Sequence, residues 1–319
     1  MLQFVFRRLT IFPFSLVIAN FIGFAFAFAT APIVTASDPY SFGTNKLPPV
    51  MPVYLDYLGN IFKGDFGSTF TNEPVLEAIS RFGGASLGLL GITITISIIL
   101  GITLGRLAVR RSRSGVASWL TMISTIGLAL PSFYIAILLI ALFIIITIYV
   151  TASVTPLIPF QGFGWDAHLI LPVLALTIQP TVKIAQVTAG LLSEEMEKQY
   201  VVAAMSFGHP FKVIKEKFAF RSILAPVVLT IAASLRMMIA ELIIIERLFN
   251  WPGLGKLIST LLSRNSLSGD LLAPPMIAAI LTVLVGAFLL IDFLATFLSR
   301  LIDPRLRSDS DLQIKGARS

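Results

Sequence analysis

Six apolar blocks, at about residues 9–34, 84–107, 117–150, 168–192, 223–249 and 275–301, set the terms on which this chain can fold. Each is long enough to cross a bilayer core, which takes roughly 20 helical residues. Only 13% of the residues are charged and 56% are hydrophobic, and the mean hydropathy is +0.88, which leaves too little polar surface for a soluble globular domain. The sequence therefore predicts an all-α membrane protein with six transmembrane helices.

Arg7 and Arg8, the apolar run after them and Ala29-Thr30-Ala31 also fit a cleaved signal peptide, but the run exceeds the roughly 7 to 15 residues of a signal core. Residues 1–35 are accordingly read as the N-terminus and first helix. Residues 36–83 form a polar insert whose Tyr54, Leu55, Tyr57, Leu58 and Phe66 predict a small folded element. Residues 84–302 hold the other five helices, interrupted by a polar loop at 193–222, and residues 303–319 form a tail.

Basic residues near helix ends are retained in the cytoplasm. One side of the membrane receives Arg7 and Arg8, then Arg106, Arg110, Arg111 and Arg113, then Lys198, Lys212, Lys215, Lys217 and Arg221, and finally Arg300, Arg305, Arg307, Lys315 and Arg318, sixteen in all. The other side receives six: Lys46, Lys63, Arg81, Arg247, Lys256 and Arg264. Both termini and the 193–222 loop are thus expected in the cytoplasm, and the 36–83 insert outside.

The same clustering accounts for the formal charge of +7 as topology rather than as a nucleic-acid footprint. With no cysteine, disulfides and thiol chemistry are excluded. The two histidines, His168 and His209, fall on opposite sides, so neither a two-His metal site nor a His-based triad can form within the chain. Gly253-Leu254-Gly255-Lys256-Leu257 lacks the first glycine and the hydroxyl of a phosphate-binding P-loop. A chain without catalysis, metal or cofactor of its own is the expectation.

The 193–222 loop is the longest charge-mixed interruption. Glu194, Glu195 and Glu197 lie where the dipole at the start of a loop helix would favour acids, and Val201, Ala204 and Met205 make an apolar stripe that stops at Gly208. After Gly208-His209-Pro210, Phe211, Ile214 and Phe218 repeat helical spacing among Lys212, Lys215 and Lys217. Two amphipathic helices joined by a tight turn follow; alone, such a pair also reads as an interfacial membrane segment.

Ala203-Ala204-Met205-Ser206-Phe207-Gly208 resembles the Glu-Ala-Ala-x-x-x-Gly loop of ABC-importer permeases, with Val202 at the Glu position. Arg221-Ser222-Ile223-Leu224-Ala225-Pro226 resembles the Arg-x-x-Leu-x-Pro ending of that family's dipeptide/oligopeptide branch, in which the leading Glu is often absent. Gly64-Asp65-Phe66-Gly67-Ser68, Gly127-Leu128-Ala129-Leu130-Pro131-Ser132-Phe133, Trp251-Pro252-Gly253-Leu254-Gly255 and Asp303-Pro304-Arg305 look like the same branch, in the same order along almost the whole chain.

The resemblance implies a type I ABC importer permease-like fold in the prokaryotic cytoplasmic membrane, with an external insert between helices 1 and 2 and a coupling-helix loop between helices 4 and 5. It implies a paralogous permease subunit, P-loop ATPase subunits that use ATP and Mg, and an extracytoplasmic solute-binding protein as partners, besides membrane lipid. Tyr200, Val202, Ala203, Ala204, Gly208, Arg221 and Pro226 would then belong to the ATPase-coupling loop. Gly208 would permit close approach or a positive φ, and Pro226 would separate the loop from the fifth helix.

The path itself is sought among ionisable residues inside the apolar blocks, whose burial costs at least about 2.5 kcal/mol. Arg236, Glu241, Lys183 and Asp292 qualify. Arg236 and Glu241 are about 140° apart around a helix, so each needs a partner elsewhere. Arg236, Glu241, Glu246, Pro131, Ser132 and Trp251 are candidates for path or gate. Against that stand an interhelical ion pair for Arg236, an interfacial anchor for Trp251 and a tolerated membrane proline for Pro131. Peptide cargo is the leading expectation, with nickel, glutathione or oligosaccharides as alternatives on the same machinery. A standalone secondary transporter or channel would call for inverted repeats, and a membrane enzyme for a convergent polar cluster; neither is evident.

Overall fold

The computed structural model describes residues 2–36, 49–68, 72–110, 115–150, 158–262 and 274–303. Among these residues the regular structure is helical, with isolated bridges joining Ser68 to Pro74 and Val109 to Val116. The order is α1 (Leu2–Ala36), α2 (Val50–Phe62), α3 (Val75–Ala108), α4 (Ser118–Ala129), α5 (Ser132–Ile145) with a π-helical extension, α6 (Ile170–Met196), α7 (Gln199–Ser206) and α8 (Phe211–Val213). A π-helical turn (Ile214–Ala219), α9 (Phe220–Ser222), α10 (Leu224–Leu248), α11 (Leu254–Leu262) and α12 (Pro274–Ile302) complete it.

Six segments have the length and hydropathy of membrane spans: Thr10–Thr30, Val75–Ala108, Ser132–Tyr149, Ala167–Met196, Leu224–Leu248 and Pro274–Ile302. They coincide with the apolar blocks except in the third. Residues 117–150 read as one helix, but Leu130 is extended (φ −98°, ψ 115°), so α4 ends and α5 begins anew at Ser132. Pro131 is the cause: its ring disfavours the helical conformation of the residue before it, and it has no N–H to donate.

The chain divides into two compact units, one drawn from Met1–Leu87 and Asn250–Leu290, the other from Gly88–Phe249 and Ile291–Ser319. In the first, α2 is the folded element that the aromatic positions of the insert predict. Tyr54 and Tyr57 are buried against α1, with ring centroids 4.9 Å from Phe21 to Tyr54 and 5.0 Å from Phe24 to Tyr57. Offset and edge contacts of this kind suit the quadrupoles of aromatic rings. Beside them Asn20 donates to Thr282 Oγ1 at 3.1 Å, tying α1 to α12.

In the second unit α6 is the central helix. Two thirds of its span is buried, against a third or less of the other spans. Lipid is as apolar as leucine, so membrane helices associate through close packing of small residues rather than through the hydrophobic effect. Gly101 and Gly105 of α3 provide that closeness. A Cβ on Gly101 would lie 2.9 Å from the Thr181 carbonyl, and one on Gly105 would lie 2.7 Å from the Ala185 carbonyl. On Gly127 of α4 a Cβ would lie 2.9 Å from the Val182 side chain. At one end of the unit Ala108, Leu120, Ala189, Leu192, Ala219, Ile223 and Val227 form a shared core, which roots the α6–α10 loop on α3, α4 and α6.

Because the obstacle at Gly105 is backbone, Gly105→Ala should destabilise the protein by about 1–3 kcal/mol. Gly91→Ala on the same helix, where a Cβ meets nothing within 4 Å, should be neutral or stabilising by up to about 1 kcal/mol. Apparent melting temperatures of the detergent-purified variants check both signs.

Candidate functional site

The polar loop begins later than its acids suggest. Helix α6 runs on to Met196, and α7 starts only after Lys198, whose backbone is extended (φ −71°, ψ 150°). Glu194, Glu195 and Glu197 therefore sit at the C-terminal end of α6, where the dipole disfavours them, rather than at the start of a loop helix. The apolar face of α6 carries Leu192, Ser193 and Glu195 inward and holds the helix together that far. Glu195, only 8% exposed, accepts from Lys198 Nζ at 2.5 Å and from the Tyr200 hydroxyl at 3.1 Å. Burial, and next the Glu195 carboxylate, push the Tyr200 phenol up to about 12.

Helix α7 is pinned by Val201, fully buried, while Val202, Ala203, Met205 and Phe207 face outward, Phe207 with 84% of its surface exposed. Its end is a Schellman motif. Gly208 N–H donates to the Met205 carbonyl at 3.0 Å and His209 N–H to the Ala204 carbonyl at 3.2 Å, with Gly208 at φ +84°. A Cβ on Gly208 would meet nothing within 4 Å, so within this chain the residue answers to backbone conformation and not to crowding. The tight turn between loop helices is thus as the Gly-His-Pro sequence predicts.

Beyond it, residues 211–222 are helical, and the π-helical turn buries Ile214 and Ala219 while Phe218 remains half-exposed. Lys215 Nζ donates to the Arg106 and Val109 carbonyls at 3.1 and 3.3 Å, groups that the C-terminus of α3 leaves without helical partners. Glu216 pairs with Arg106. Burial, with Arg106 and Lys212 nearby, holds the Lys215 ammonium below its usual range. Nothing in the loop's sequence spacing announced this clamp, since it joins residues about a hundred positions apart. Arg221 is exposed. Pro226 is not the boundary of α10: the chain bends at Ile223 (φ −94°, ψ −1°), and Pro226 falls in the first turn, where its missing N–H has no helical acceptor to lose.

Within the spans, the break at Pro131 exposes the N-terminus of α5. Ser132 is buried, and its N–H and hydroxyl face the carboxylate of Glu241 on α10. A carboxylate there complements the positive end of the half-helix. Arg236, on another face of α10, donates to Asp292 Oδ1 of α12 at 3.0 Å. The helical-wheel separation of Arg236 and Glu241 is thus matched by separate partners on separate helices. Glu246 is fully buried near the end of α10, and the Gly162 N–H holds the Phe249 carbonyl just beyond it.

Trp251 belongs to the other unit. It is fully buried, its indole N–H donates to the Ala85 carbonyl at 3.1 Å, and Ser86 Oγ accepts the Leu254 N–H at 2.8 Å. An indole held inside protein in this way is part of the packed interior rather than an interfacial anchor. Arg264 and the tail's basic residues lie outside the described residues.

A helical protein with six candidate spans among its described residues, a broken membrane helix, a carboxylate facing the break and a firmly rooted polar loop has the features of a transport subunit. The chain belongs to the family of binding-protein-dependent transport system inner membrane components, whose profile matches residues 94–308. It is 30% identical over 275 residues to a probable peptide ABC transporter permease protein of Sinorhizobium fredii, covering 83% of this chain and 82% of the relative. A dipeptide transport system permease protein of Lactococcus lactis is 26% identical, over 84% of each chain. An oligopeptide transport system permease protein of Haemophilus influenzae is 28% identical over 96% of this chain and all of the relative.

Replacing Gly208 by Ala forces a Cβ into the left-handed region, which costs roughly 1–2 kcal/mol. Amide exchange in residues 199–209 should accelerate about 5- to 30-fold while α10 is unaffected, as hydrogen-exchange mass spectrometry can read. For the intramembrane pair, Arg236→Met and Asp292→Leu should each destabilise by stranding one charge, and the double variant should recover part of the loss. A thermal double-mutant cycle should give a coupling of about 0.5–3 kcal/mol.

Proposed function

We propose that this chain is a non-catalytic permease subunit of an ATP-driven, binding-protein-dependent importer that carries di- or oligopeptides across a prokaryotic cytoplasmic membrane. Its termini and its α6–α10 loop lie in the cytoplasm. It pairs with a paralogous permease, takes solute from an extracytoplasmic binding protein and is driven by P-loop ATPase subunits, which supply the ATP and Mg chemistry.

The observation that carries this reading is the α7 knob: a short helix with exposed Val202, Ala203 and Met205, closed by Gly208 and clamped to the end of α3 through Lys215. A site can bias a conformation only through contacts that differ between two packings. Movement imposed on α7 by closing ATPases reaches α3 through the Lys215 clamp and α10 through Ile223. Helix α10 carries Arg236, Glu241 and Glu246 and meets the α5 break at Pro131 and Ser132, which we assign to the path. A peptide brings a cation and an anion to such a surface, which suits Glu241 and Arg236. The three relatives named for peptide, dipeptide and oligopeptide transport support that cargo over nickel, glutathione or oligosaccharides.

Reconstitution of the complete importer in liposomes tests the assignment. Labelled peptide should accumulate only with binding protein outside and ATP on the ATPase side. Gly208→Trp should abolish uptake and substrate-stimulated ATP hydrolysis at normal abundance; undiminished activity in both would sink the coupling assignment.

A further inference from the structure

A cavity of about 710 Å³ opens where the α6–α10 loop meets the end of α12. That volume is in the range of pockets that hold small organic ligands. We infer that it binds the phosphate-bearing head of an anionic phospholipid.

The charge at the cavity is the first ground. Lys217 and Arg221, one turn apart on residues 211–222, both line it and both are exposed. Of its two carboxylates, Glu195 holds Lys198 and the Tyr200 hydroxyl. Among the described residues neither Lys217 nor Arg221 is ion-paired, and the cavity presents both cations to a ligand.

Depth and polarity are the second. The sixth span ends at Ile302, which lines the cavity together with Phe218; the two residues are 40% and 47% exposed. An apolar wall at the end of a membrane span, with two cations and the Ser222 hydroxyl beside it, matches a lipid: phosphodiester against Lys217 and Arg221, upper acyl chain against Phe218 and Ile302. An acidic loop of a soluble partner would have no use for that wall. Occupancy would tie the loop to α12.

The test is a titration of the purified full-length chain in detergent with phosphatidylglycerol, phosphatidylcholine or inorganic phosphate, read by native mass spectrometry. Each Lys or Arg near an anionic lipid surface contributes about fivefold, so Lys217→Gln/Arg221→Gln should weaken phosphatidylglycerol binding about 25-fold. The charge-matched Arg110→Gln/Lys212→Gln, outside the cavity, should change it less than about threefold. If the first double variant does not fold, Arg221→Gln alone should show the fivefold loss. Equal effects of the two pairs, or equal affinity for phosphatidylcholine, would overturn the site. Competition by inorganic phosphate as strong as by lipid would make the ligand a free anion and overturn the lipid. Lipid binding untouched while ATPase assembly is lost would assign the cations to a protein partner instead.

Discussion

The closeness of α3 to α6 is the contact on which the larger helical unit depends. In water a small residue in a helix interface forfeits apolar burial; in a bilayer that loss vanishes, and close backbone approach is what remains to hold helices together. Gly101 and Gly105 let α6 sit against α3 within a distance that any side chain would forbid. With α6 enclosed on that side and by α4, α5 and α10, its neighbours are left with one face for α6 and another for lipid or a second subunit. The exposed apolar side chains of α5 and α10, such as Leu138, Leu142, Leu229 and Ile244, are what such an arrangement leaves over.

The second constraint is the obligation of every backbone polar group in hydrocarbon to find a partner. It makes the Leu130-Pro131 interruption informative. A lipid-facing break would strand N–H groups, whereas here Ser132 is buried and a carboxylate from α10 faces the exposed helix end. Arg236 and Asp292 obey the same rule by meeting each other. Polar groups thus occur inside the spans where the fold supplies an answering group.

What could be read from the sequence divides along the range of the interactions. Span positions follow from apolar length, and the stop at Gly208 from local turn chemistry, because a left-handed helix cap needs glycine whatever surrounds it. Glu194 and Glu197 look like a helix start locally, yet the buried side of α6 carries the helix through them. A related limit applies at Ile223. Proline marks where a helix can begin, within a turn, and not where the chain changes direction. The Lys215 clamp, the partnership of Arg236 with Asp292 and the burial of Trp251 depend on residues between 50 and 170 positions away, which no local pattern encodes.

The π-helical turn at Ile214–Ala219 stands between the anchored knob and α10. A π turn holds one residue more than the α turn it replaces. Relaxing it to α geometry would release that residue into the chain, equivalent to about 1.5 Å of rise and about 100° of rotation. The extra residue therefore shifts the angular phase of the chain after it by about 100°, so the faces on which α10 presents Arg236 and Glu241 are set in part by this turn.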